Sequence, residues 1–202
     1  MKIFTFNDIS TLVMRRVYFA TFFVVILFSN PVGLMGQSPI IGYDKVAWGT
    51  SIQGVKQFYP TINEIASDEA SIGIRAFEQR GYGSGIESRR FYFFQGKLYS
   101  VIVNYGETDE QRSDAIWDKI ESVYGRLSKE EVQSEPHQNG IIENSAYIVR
   151  YATNLCVRLM LTRYIEYGKV RMNVVLVMYR DEQTLTLVED ARKKRNYSQI
   201  QL

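Results

Sequence analysis

Residues 98–105 alternate without a break. Tyr99, Val101, Val103 and Tyr105 fall on one side of an extended chain, and Leu98, Ser100, Ile102 and Asn104 on the other, because side chains along a strand repeat every two residues. An apolar strand face has to be buried against something. Gln95-Gly96 stands directly before this run and Arg90 to Phe94 before that, so the chain is expected to double back there as an antiparallel hairpin. The pattern recurs later: Gly96-Lys97-Leu98 followed by Val101, Val103 and Tyr105 is echoed by Gly168-Lys169-Val170 followed by Val174 and Val177, with a second turn at Tyr167-Gly168.

A helix signal precedes each of these sheets. Thr50 and Gln53 fit a capping box, and Ile52, Val55, Tyr59 and Ile62 recur at helical spacing, so a short helix ending near Pro60 is expected. Thr108 and Gln111 repeat the cap before a longer stripe of Ile116, Ile120, Val123 and Leu127, which Gly125 would stop. Strands are expected at residues 72–80, 90–94 and 98–105 in the first half, and at 146–152, 155–165 and 169–179 in the second. The polar stretch 128–140 reads as a loop. The expected fold is α+β: two helix-plus-three-stranded-meander units, about 44–105 and 108–180, forming an antiparallel sheet with helices packed on one face. Residues 37–180 make a single domain, and 181–202 a C-terminal surface helix and basic tail, in which Arg192-Lys193-Lys194-Arg195 complements the helix dipole.

The first 36 residues have a different character. Arg15-Arg16 is followed by an unbroken apolar run from Val17 to Phe28, then by Asn30, Pro31, Gly33 and Gly36. That is the order of a secretory signal peptide, and Met14 would itself be a compact start for one. The apolar run is too short for the roughly 20 residues of a membrane span, so no stable span is expected after cleavage near residues 35–37. Gln37 stands where a lipoprotein would carry its cysteine, which excludes lipidation there. Export to a bacterial periplasm or cell surface follows as the expectation. Cys156, the only cysteine, suits such a compartment better than a disulfide-stapled secretion.

The whole chain has a formal charge of +2, but Lys2, Arg15, Arg16 and Asp8 lie in the leader, and the remainder carries equal numbers of acids and bases. Without a basic excess, nucleic-acid binding loses its electrostatic basis. Metal and catalytic sets fare no better. His137 is the only histidine and has no Cys partner, which removes the ordinary zinc ligand sets and a histidine-dependent serine hydrolase. Gly81-x-Gly83-x-Gly85 precedes an expected strand, whereas phosphate-binding glycine loops open a helix. Cys156 shares a strand face with Arg158 and Met160 and has no resolving cysteine, so it reads as a buried passenger. The acidic pairs Asp68-Glu69 and Asp181-Glu182 sit at element edges, where such pairs cap helices or solvate loops. No catalytic, cofactor-binding or metal residue is assigned.

Aromatic residues are abundant, with 14 Tyr and 11 Phe, and Tyr43, Tyr82, Tyr92, Tyr99 and Tyr105 interleave with Arg75, Arg80, Arg89 and Arg90 about the first sheet. Tyr and Arg are enriched at protein interfaces because they join a large contact area to a polar end. Arg90, Tyr92 and Tyr99 are the candidate interface residues.

The opening Trp48-Gly49-x-Ser51-x-x-x-Val55-x-x-x-Tyr59, followed by an antiparallel meander, resembles the exported helix-plus-meander domains of the SmpA/OmlA and β-lactamase-inhibitor-protein-like superfamily. In order of elements the resemblance runs over residues 44–180; in residues it is confined to the opening motif. It implies adhesion to another envelope protein rather than chemistry. The chain departs from those relatives in lacking both the lipid-anchor cysteine and the disulfide pairs, and no inhibitor contact residue carries over. The expected function is thus a non-enzymatic protein-binding or envelope-assembly module. Its alternatives are a periplasmic carrier with a small apolar ligand in a sheet pocket, and a hydrolase with a carboxylate site.

Overall fold

The computed structural model describes residues 42–81, 85–151 and 154–200. The expected leader, residues 82–84 of the glycine turn and the last two residues of the tail lie outside these. In chain order the described elements are β1 (Gly42–Tyr43), β2 (Val46–Ala47), α1 (Ile52–Phe58), β3 (Asn63–Ile65), a 3-10 turn at Ala70–Ile72, β4 (Ile74–Arg80), β5 (Ser88–Phe94), β6 (Lys97–Thr108), α2 (Glu110–Tyr124), β7 (Ser128–His137), β8 (Gly140–Tyr151), β9 (Leu155–Glu166), β10 (Lys169–Asp181) and α3 (Glu182–Ile200). β3 to β10 form one eight-stranded antiparallel sheet in the order β3-β4-β5-β6-β10-β9-β8-β7. The last strands of the two halves, β6 and β10, therefore meet at its centre.

Both helix starts fall one residue later than the Thr-x-x-Gln spacing predicts. Ser51 Oγ accepts from the Gly54 amide at 3.2 Å, and Asp109 Oδ1 from the Arg112 amide at 2.8 Å. Ser and Asp are stronger N-caps than Thr, so the neighbouring residue takes the position. Thr108 is drawn into the sheet instead, its hydroxyl 2.7 Å from that of Ser113.

Each half contributes four strands, which corrects the expectation of three. The additions are the two sheet edges, β3 and β7. β3 is only three residues long, and every residue of β7 is exposed. Neither carries the apolar alternation by which a strand is recognised. β7 is instead specified by its ladder to β8, which runs from Ser128 opposite Ile148 to His137 opposite Gly140. Its lysine, glutamates and proline, with a register shift between Lys129 and Glu131, are the features that keep an exposed edge from pairing with other chains.

The hairpin at Gln95-Gly96 is present, both residues having positive φ (49° and 77°), as a tight two-residue turn requires. The strand after it differs from strict alternation. Phe93 pairs with Leu98 and Tyr92 with Ser100, so Tyr99 is an extra, bulged residue. Leu98 thereby joins Val101 and Val103 on one face, and Tyr99 turns to the opposite one.

The main core lies on the face of Leu98. There Val55 of α1, Tyr59 at its C-terminal end, and Ile116 and Ile120 of α2 pack on Phe77, Phe91, Phe93, Val101, Val103, Val157, Leu159 and Val177. Phe91, with no exposed surface, touches the Tyr59 ring at a centroid distance of 4.8 Å and Tyr43 at 6.4 Å. Trp117 of α2 meets Tyr147 of β8 edge-on at 4.5 Å. α3 does not share this face. Its one fully buried residue, Val188, joins Ile74, Phe94 and Tyr99 in a smaller cluster across the sheet. Asp181 caps α3 by accepting from the Thr184 amide at 3.0 Å.

Candidate binding surface

With α1 and α2 on one face and α3 over one end of the other, most of the second face is left without a helix. The register of the sheet shows what it presents. Running across the strands, Glu78, Arg90, Ile102, Met178, Arg158 and Ile148 stand in one row of directly opposed residues. The next row is Ser88, Asn104, Leu176, Met160, Ala146 and Glu131. Their middle members form a contiguous patch: Ile102, Met178, Leu176 and Met160 are each half-buried, though they lie at the centre of the sheet. Met172 lies further along the same face of β10. Methionine's unbranched thioether suits a surface that must adapt to what it touches.

Charges frame this patch. Arg158 pairs with Glu130 at 2.7 Å and lies 3.7 Å from Glu131. Arg90 donates to Glu78 at 2.8 Å, and Arg80 donates to the same carboxylate. Burial pushes the Glu78 carboxyl up, but the two guanidinium hydrogen bonds outweigh it and hold the group below its ordinary range. Arg150 and Arg180, in the row that also holds Tyr92, Ser100 and Cys156, have no ion pair among the described residues. Between Met160, Leu176 and the β7 side chains Glu131 and Gln133 runs an open groove of about 230 Å³. A second one of about 140 Å³ lies where Leu185 and Arg192 of α3 overhang Tyr92, Ile102 and Met178.

Of the three interface residues read from the sequence, Arg90 is exposed, Tyr92 is half-buried on the same face two residues along, and Tyr99 is 4% exposed beneath α3. The methionine and leucine positions of β9 and β10 were missed. Their signal was present, since Met160, Leu176 and Met178 occupy alternate positions of strands already identified, but which alternate set would be covered by helices is not a local property.

Other sequence candidates occupy structural positions. His137 ends the exposed edge strand with its ring 5.9 Å from that of Tyr164. Gly85 is followed by a strand and not by a helix. Cys156 is 2% exposed; burial, and then a hydrogen bond with Glu182, push its thiol up to about 11. Glu69 is held by Arg192, and Asp181 is the α3 cap. Among the described residues no group of three or more His, Cys, Asp or Glu is gathered that could hold a metal ion, and no helix is long and apolar enough to cross a membrane.

Comparison of the chain with protein-family models, curated proteins and solved structures gives no match.

Proposed function

We infer that the chain is an exported, non-enzymatic binding module of a bacterial envelope, and that it grips another envelope protein with its open sheet face. The observation that carries this reading is the patch of Ile102, Met178, Leu176 and Met160. A sheet with one face sealed by helices has no folding reason to leave four large apolar side chains half-bare on the other. Its frame of Arg, Tyr and Met is the composition enriched at interface centres, and the unpaired Arg150 and Arg180 favour a partner whose apolar contact is rimmed by acids.

The export half of the proposal rests on the N-terminal pattern of basic step, apolar run and small residues. The order of elements supports a duplicated unit: a helix and then four strands occur twice, and the two last strands pair antiparallel at the centre. Two copies of one unit related by a local twofold axis would produce that strand order. This is also the kind of architecture that the resemblance to helix-plus-meander adhesion domains leads one to expect.

The test is photo-crosslinking of the full-length protein in the envelope fraction of its native cells, comparing wild type with Met160→Glu/Met178→Glu and with Arg90→Ala/Tyr92→Ala. A dominant crosslinked protein that disappears with the charged pair, while circular dichroism shows an intact fold, supports the reading. The same partner at the same yield in the variants, or none with the wild type, overturns it.

A further inference from the structure

α3 lies on the open face of the sheet and covers one end of it, yet it is held there by little. Among its described residues Val188 alone is fully buried; Leu185 and Ala191 are half-buried, and Leu187 and Tyr197 are exposed. Its first turn is tied to the β8–β9 connection, where the Glu182 amide donates to the Asn154 carbonyl at 2.7 Å and Gln183 Nε2 to Asn154 Oδ1 at 3.3 Å. Beyond that turn the helix is fastened by Val188 and by the two hydrogen bonds of Arg192 to Glu69. An element with so few buried apolar contacts belongs to the low-stability end of a fold and can open without the core.

What α3 hides is a continuation of the binding patch. Ile74, Phe94 and Tyr99 are sealed beneath it. Tyr92 pairs with Ser100, one position along β5 and β6 from the row that holds Ile102 and Met178, and the bulged Tyr99 stands next to Ser100. The groove under α3 runs along this seam, with Ile102 and Met178 at its open side and Tyr92 and Tyr99 within. Apolar surface therefore passes from the exposed patch to the covered cluster without a break.

The charges of helix and sheet do not match. Arg192 of α3 and Arg180 of β10 both line this groove of about 140 Å³, and the one carboxylate in its wall, that of Glu69, is taken up on both oxygens by Arg192. Arg180 Nε is buried with no hydrogen-bond partner among the described residues. A cationic helix thus covers a cationic stretch of sheet. Like charges set side by side are unfavourable, and a segment bringing a carboxylate to Arg180 would fit the place better than α3 does.

We propose that α3 is a displaceable strap: it occupies the end of the open face in the free protein and gives way to a partner segment that carries an apolar side chain flanked by an acid. The apolar side chain takes the place of Val188 over Ile74, Phe94 and Tyr99, and the acid pairs with Arg180. The inference rests on the open face being the binding surface. It adds that the free protein presents only part of that surface, so that its apparent affinity is lowered by the fraction of molecules in which α3 is docked.

Two measurements on the full-length chain test it. In a Cys156→Ala background, Val188→Cys places a thiol at the buried position of α3, and Val101→Cys places one in the main core, where Val101 is equally buried. The α3 thiol is expected to react with iodoacetamide at least about tenfold faster than the core thiol, Arg192→Glu to raise its rate about tenfold more, and the exchanged pair Glu69→Arg/Arg192→Glu to return it to the starting value. Equal rates at the two positions, or no response to the charge changes, would overturn the strap. The second measurement repeats the photo-crosslinking in native envelopes with Arg192→Glu and with the exchanged pair. Arg192→Glu is expected to raise the yield of the protein crosslinked by the wild type about threefold or more, and the exchanged pair to restore the original yield. An unchanged or lower yield with Arg192→Glu, from a partner still lost on Met160→Glu/Met178→Glu, would overturn the strap and leave the binding face standing. No crosslinked protein with either chain would overturn both.

Discussion

Arg192 of α3 grips Glu69 through both ends of its guanidinium, Nε to Oε1 at 2.5 Å and Nη2 to Oε2 at 2.8 Å. The pair is partly buried and spans 123 residues of sequence. It lies where α3 crosses the 3-10 turn before β4, beside the small cluster of Ile74, Phe94, Tyr99 and Val188. α3 has few other anchors, since Leu187 and Tyr197 are exposed. A bidentate ion pair therefore fastens a helix that a weak apolar stripe holds only lightly.

Removing that clasp should loosen α3 selectively. Arg192→Ala is expected to cost about 1 kcal/mol or less of global stability, because both partners are partly solvated. Hydrogen exchange read by mass spectrometry should show a larger loss of protection in α3 than in β4 to β6. The hydrogen bond from Arg192 holds the Glu69 carboxyl below its ordinary range. A carboxyl lowered in the folded state stabilises fully above its unfolded value, about 4.3, and ceases to as pH falls through the folded value. Protection of α3 should thus decline below about pH 4 in the wild type, and Glu69→Gln should flatten that decline. Uniform loss of protection across the sheet would contradict this account.

The capping residues separate by mutation. Ser51→Ala and Asp109→Ala should each cost about 1 kcal/mol in urea unfolding, whereas Thr50→Ala should be close to neutral because Thr50 does not cap α1. Equal costs at Thr50 and Ser51 would show the cap to be misplaced.

Phe91 is the keystone of the main core. Phe91→Ala should cost about 3–5 kcal/mol by removing a ring that both Tyr43 and Tyr59 pack against. Phe91→Leu keeps most of the volume and should cost markedly less. Chemical denaturation monitored by tyrosine fluorescence reads both.

Cys156 should resist alkylation. The thiolate is the reactive form, and a thiol pushed up to about 11 is almost wholly protonated at pH 8. Iodoacetamide should therefore modify the native protein at least tenfold more slowly than the urea-unfolded chain. Equal rates would mean that the second face near α3 opens freely.

Two of the sequence expectations were wrong for a shared reason. Tyr99 alternates with Val101 and Val103 along the chain, yet the pairing of Leu98 with Phe93 and of Ser100 with Tyr92 leaves it as a bulge facing the other way. Residues 128–137 carry no apolar alternation, yet they form a full edge strand because β8 offers a ladder. Bulges and edge strands are properties of a pair of strands and have no counterpart in either one alone.

What the sequence determined by itself is local. Two positive-φ turns, at Gln95-Gly96 and Tyr167-Gly168, place the hairpins, and the spacing of Ile116 and Ile120 makes α2 a helix with one buried side. Those outcomes follow from the steric limits of neighbouring residues and from the period of one element. Only the tertiary structure decided which set of alternate side chains is sealed under α1 and α2, and which, with Met160, Leu176 and Met178, is left open. Such choices depend on register between strands far apart in the chain, where a shift of one residue exchanges the two faces of the sheet.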